Sequence, residues 1–111
     1  MSGFDLFITA NNMVINLQES KATFDDNIQM LVKDKVAGLE HYYSNIIKAD
    51  IEIGMTTHHH QKGDIYRAEV NLDVPGKVLR AEAETDDITK SINEVYDKLK
   101  RELIKYKEMH S

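Results

Sequence analysis

The sequence predicts an α+β fold of order β-α-β-β-β-α, a four-stranded mixed sheet with two helices packed on one face. Two features of the hydrophobic pattern lead there. The spacing of apolar residues alternates between a period of two and steps of three and four. The period-two segments are apolar on one side only, which means a sheet covered on a single face. Length sets the scale, because 111 residues with 41% hydrophobic and 30% charged side chains suit one core. Residues 1–111 are therefore expected to form a single domain.

Residues 4–9 open the pattern, with Phe4, Leu6 and Ile8 on one side, and Asn11-Asn12 favour a turn after them. Residues 13–23 are ambiguous, since Met13-Val14-Ile15 either extends that strand or begins a connection. A helix follows within residues 24–43, where Ile28, Leu31, Val32, Val36, Leu39, Tyr42 and Tyr43 recur at helical steps. Thr23, Asp25 or Asp26 can cap its start with a side-chain oxygen. The period returns to two at Ile51, Ile53 and Met55. After a polar loop over 56–64 it resumes at Tyr66, Ala68, Val70, Leu72 and Val74.

Pro75-Gly76 suits a type II turn, the proline fixing φ and the glycine accepting a positive one. Leu79, Ala81 and Ala83 then mark a fourth strand. The second helix opens at Asp86-Asp87, where acidic groups suit a helix N-terminus. Ile88, Ile92, Val95, Leu99, Leu103 and Tyr106 form its buried stripe. A right-handed crossover makes the strand at 51 parallel to the first one. Hairpins make the others antiparallel.

Charge is uneven along the chain. The formal total is −5, which argues against indiscriminate nucleic-acid binding through a wholly basic surface. Residues 98–111 nevertheless carry five basic side chains against two acidic ones, a local +3. The absence of cysteine excludes disulfides, thiolate metal sites and cysteine nucleophiles. No apolar run approaches the roughly 20 residues of a membrane-spanning helix, and the first residues do not read as a secretory signal. A cytoplasmic location and no membrane partner are the matching expectations. With no nucleophile–base arrangement and no glycine-rich phosphate loop, neither an enzyme nor a small-molecule substrate or cofactor is expected.

The ordered string of residues 75–107, from Pro75-Gly76 through Arg80-Ala81-Glu82 and Asp86-Asp87 to Lys105 and Lys107, resembles the ribosome hibernation-promoting factor family. That family includes the ribosome-associated inhibitor A proteins. Its helix pattern is met by Ile92 and the run Val95-Tyr96-Asp97-Lys98-Leu99-Lys100-Arg101-Glu102-Leu103. Upstream, Phe7-Ile8-Thr9-Ala10-Asn11-Asn12 and Lys35-Val36-Ala37-Gly38-Leu39-Glu40-His41-Tyr42-Tyr43 are similar to two further family segments. The chain departs from the usual residues at Gly38, Asn93 and Glu102, and its connection after Asn12 is longer.

The resemblance implies a short-form member without the C-terminal dimerisation domain of longer ones. It also implies a translation inhibitor that binds the small ribosomal subunit, contacts its rRNA, and occupies the channel used by messenger and transfer RNA. A phosphate-walled groove calls for cations on a rigid face. Lys98, Arg101 and Lys105 fall at steps of three and four and share one helical stripe, which Lys90 extends. Lys35, together with Lys33, adds charge from the first helix if the two helices lie side by side.

Competing readings stand beside these. The same cations are solvated surface groups if Glu94–Lys98 and Asp97–Arg101 form local ion pairs. His58-His59-His60 reads as an exposed loop rather than a metal site, because neighbouring strand residues point to opposite sides. Tyr42, Tyr43 and Tyr106 read as core, and Asp86-Asp87 as a cap rather than a catalytic pair. The other function classes are a protein-interaction or structural module and an adaptor resembling double-stranded-RNA-binding domains. The acidic start of the second helix disfavours the adaptor.

Overall fold

The computed structural model describes residues 8–10, 13–56 and 63–110. Its elements are strands β1 (Ile8–Ala10) and β2 (Met13–Ser20), helix α1 (Asp26–Ala37), strands β3 (Lys48–Thr56), β4 (Ile65–Val74) and β5 (Lys77–Thr85), and helix α2 (Ile88–Met109). A 3₁₀ turn over Gly38–His41 extends α1. The strands lie in the order β1-β2-β3-β4-β5. β2 and β3 are parallel across the α1 crossover, and the other neighbours are antiparallel.

The expected β-α-β-β-β-α order is therefore carried by β2 to β5, a four-stranded mixed sheet, with short β1 added at the edge beside β2. Residues 13–20, which the sequence left open, form the full-length first strand of that order. Residues 4–7 of the expected opening strand, Asn11-Asn12 and the histidine run at 58–60 lie outside the described residues.

The core sits between the sheet and both helices. Met13, Ile15 and Leu17, then Ala49, Ile51, Ile53, Ala68, Val70, Leu72, Leu79, Ala81 and Ala83, point to one face. Val32, Val36 and Leu39 from the α1 segment and Ile92, Val95, Leu99 and Leu103 from α2 close over them. Helix α1 lies over β2, whereas α2 lies over β4 and β5, so the helices touch each other only lightly.

Local chemistry fixes the helix ends. Asp25 caps α1 by accepting from the Ile28 N–H at 3.0 Å, and Asp87 caps α2 by accepting from Thr89 at 2.8 Å. Gly76 takes φ 79°, the positive value its turn requires. At the far end of α2 the Tyr106 hydroxyl donates to the Pro75 carbonyl, tying the helix to the β4–β5 hairpin. Tyr43 packs edge-on against the Tyr106 ring at 5.3 Å, as the core reading of these tyrosines expects.

The uncovered sheet face is a lattice of charges. Arg67 bonds to Glu82 and lies 3.0 Å from Glu69, while Arg80 donates to Glu69 at 2.6 Å. Lys48 lies 3.3 Å from Asp50, which also accepts from Asn16. Burial alone would raise the Glu69 carboxyl, but hydrogen bonds from Arg80 and Arg67 outweigh it and hold Glu69 below its usual range.

Candidate functional site

The free edge of β5 is where the helical cations meet the sheet. In the two-residue hairpin, Val74 and Lys77 close the ladder, so alternate residues of β5 bond to β4. The peptide groups of Val78, Arg80, Glu82 and Glu84 consequently face outward. Lys98, on the α2 flank above this edge, donates from Nζ to the Glu82 carbonyl at 2.7 Å. A lysine in this position blunts an edge that would otherwise invite another strand. Arg101, one helical turn on, and Lys105 beyond it are exposed. Neither makes an ion pair among the described residues. The local pairs Glu94–Lys98 and Asp97–Arg101 that would have retired these charges are not formed among the described residues.

The other two predicted cations lie elsewhere. Lys90 reaches back to Asp86 at 3.3 Å, an exposed pair at the start of α2. Lys35 stays on the α1 side, its Nζ 4.7 Å from the centre of the Tyr96 ring. It does not join Lys98, because residues 96 and 100 occupy the opposite flank of α2 from residue 98. Lys100, which the stripe argument passed over, sits there with its Nζ 5.3 Å from the Tyr42 ring. The Tyr42 and Tyr96 hydroxyls are 3.4 Å apart between these lysines. That hydrogen bond draws the Tyr42 phenol below its usual range, with Lys100 adding to the effect against burial, and it pushes Tyr96 above.

The geometry thus divides the cations into two groups. One, Lys98, Arg101 and Lys105, borders β5. The other, Lys35 and Lys100, straddles the junction of the helices over a pair of tyrosines. The i, i+4 spacing of Tyr96 and Lys100 is the signal that could have revealed the second group. Among the described residues no cluster of three or more metal-ligating side chains occurs, and no helix is long and apolar enough to cross a membrane.

A one-sided mixed sheet with two covering helices is also the architecture of two solved structures. A ribosomal subunit interface protein from Coxiella burnetii superposes with a TM-score of 0.73 at 21% identity, covering 85% of this chain and 97% of that one. The Protein Y N-terminal domain of Thermus thermophilus gives 0.64 at 21%, covering 89% and 99%. At these identities the likeness defines the fold.

Sequence carries the assignment further. Residues 15–111 match the family described as Sigma 54 modulation protein / S30EA ribosomal protein, and the chain belongs to that family. A Ribosome hibernation promotion factor from Staphylococcus aureus (strain COL) is 29% identical over 85 residues, 77% of this chain. The match spans 43% of that relative's length. Membership of this family bears out the resemblance read from residues 75–107, and it is membership of a ribosome-associated, non-enzymatic family.

Proposed function

We propose that this protein binds the small ribosomal subunit and silences it by steric occupancy, with the α2 cations against rRNA in the channel used by messenger and transfer RNA. The observation that carries the reading is the family match over residues 15–111, joined to an α2 flank whose Arg101 and Lys105 are exposed and unpaired among the described residues. Such groups can displace counterions from phosphate without first breaking a protein ion pair. Lys98 adds its remaining donors from the same flank, and Lys35 and Lys100 offer a second point of contact.

The rest of the surface supports one orientation. The open sheet face carries Asp50, Glu52, Glu69, Asp73, Glu82 and Glu84 against Lys48, Arg67 and Arg80, and would repel phosphate. A helix-side approach leaves that face turned away from the RNA. Inhibition then needs no reaction, only residence in a path that other ligands must use.

Co-sedimentation with purified small subunits tests the reading. The wild type should pellet with subunits at low salt and be released as salt rises. The triple variant K98E/R101E/K105E should lose at least about ten-fold in affinity and fail to inhibit a translation reaction. Wild-type affinity in that variant would remove α2 from the interface, and unimpaired translation with excess wild-type protein would remove the function.

A further inference from the structure

We infer that the cleft between β5 and α2 is a phosphate-binding site, and that its strand-side arm is Arg80, a residue outside the helical stripe. The inference rests on the ribosome-binding reading and deepens it by locating where a single phosphate group is gripped. The cleft measures about 400 Å3 and is lined by Arg80, Ala81 and Glu82 from the strand and by Lys98, Arg101 and Glu102 from the helix. That volume falls in the range of small-ligand sites, roughly 300–1,000 Å3.

Two elements on opposite faces of the sheet meet here because β5 is an edge strand. Arg80 projects to the open face, and α2 covers the other, yet both reach round the same border. The Arg80 guanidinium is oriented by its Nε bond to Glu69 at 2.6 Å and a longer contact to Glu82 at 3.5 Å. These engage two of its five N–H donors. Lys98 is likewise fixed by the Glu82 carbonyl, which uses one of its three. Arg101 completes the set without an ion-pair partner among the described residues.

Two guanidinium forks and one ammonium, the Arg80 fork and the Lys98 ammonium held by hydrogen bonds, suit an oxyanion with several outward oxygens. Ala81 adds only a methyl group to the lining. Glu82 and Glu102, which also line the cleft, limit how much negative charge can enter, which favours one phosphate group over a dense polyanion. The group can belong to an RNA backbone or to a free polyphosphate or nucleotide, since the chemistry presented to the cleft is the same.

The test follows the arginine side-chain Nε–Hε NMR signals during titration with tripolyphosphate in one arm and a single-stranded oligoribonucleotide in the other. Both the Arg80 and Arg101 signals should shift. R80Q should weaken the binding by about five-fold or more and reduce the log–log salt slope of subunit binding by about 0.7–0.9, one phosphate contact. R80K should fall between the two, a point charge in place of a fork.

A response to the oligoribonucleotide alone supports the site with RNA backbone as its source. A response to tripolyphosphate alone supports it with a free ligand. An Arg80 signal unmoved by either probe in the wild type overturns it, whether or not R80Q folds. R80Q with wild-type affinity beside an impaired R101Q also overturns it, and leaves α2 in the ribosome interface. Arginine shifts with tripolyphosphate, in a protein that never pellets with subunits, keep the cleft and discard the ribosome reading.

Discussion

Gly38 and Gly54 show how differently the same residue can be constrained. Gly54 lies in β3 beside the end of β2, and a Cβ built there would stand 2.2 Å from the Ser20 carbonyl oxygen. The obstacle is backbone, so the parallel β2–β3 pair would have to part. Gly38 has φ −67°, an ordinary helical value, and no atom within 4 Å of a Cβ. From sequence, Gly38 reads as a costly glycine within a helix, whereas Gly54 looks like one small residue on the polar side of a strand. The second constraint was illegible because it depends on the register between strands. Gly54→Ala should lower stability by about 2 kcal/mol or more, and Gly38→Ala should raise it by about 0.5–1 kcal/mol. Urea denaturation of the two variants gives the opposite signs directly.

Among the elements, α2 was the most legible and β2 the least. Every residue of the predicted α2 stripe from Ile92 to Tyr106 is buried, because a 3.6-residue period over six turns leaves little choice of face. In β2 the run Met13-Val14-Ile15 hides the alternation that Asn16 and Gln18 later reveal. Which flank of α2 faces α1 was equally hidden, and it is why Lys35 stands with Tyr96 rather than beside Lys98. One element contact also escaped the apolar pattern altogether. Ser91 is fully buried on α2, where its hydroxyl donates to the Tyr66 carbonyl at 2.8 Å and meets the Thr85 hydroxyl at 2.7 Å. It fastens the first turns of α2 to β4 and to the end of β5. Ser91→Ala removes a second bond to the Tyr66 carbonyl, beside the one from its ladder partner Thr85, and should cost about 0.5–1.5 kcal/mol. Leu99→Ala, which opens a cavity in the same helix, should cost about 2–5 kcal/mol. Amide hydrogen exchange separates the two, since the serine change should loosen residues 88–92 before the rest of α2.

For the molecule as a whole, charge is sorted by face as well as along the chain. The sequence shows the positive stretch at 98–111, but the acidic face emerges only when β3, β4 and β5 bring Asp50, Glu52, Glu69, Asp73, Glu82 and Glu84 onto one surface. Arg67 and Arg80 thread that surface and relieve its self-repulsion, with Glu69 the carboxylate they share. Its side chain is only 15% exposed, so its bonds are shielded better than those of its neighbours. Because the folded state holds Glu69 below its ordinary value of 4.5, the group stabilises the fold above that pH. The contribution is lost as pH falls through the lowered folded value. Glu69→Gln should therefore be less stable than wild type at pH 7, by about 1 kcal/mol for a charge-assisted bond near solvent. Thermal melts of both proteins from pH 7 downward should converge only below the ordinary carboxylate range. A gap that stays constant into strong acid would assign the loss to packing rather than charge. Ribosome binding carries the same dependence, because Glu69 orients the Arg80 guanidinium at the cleft. Glu69→Gln should therefore also weaken subunit binding at neutral pH, by less than the loss expected for R80Q in the cleft.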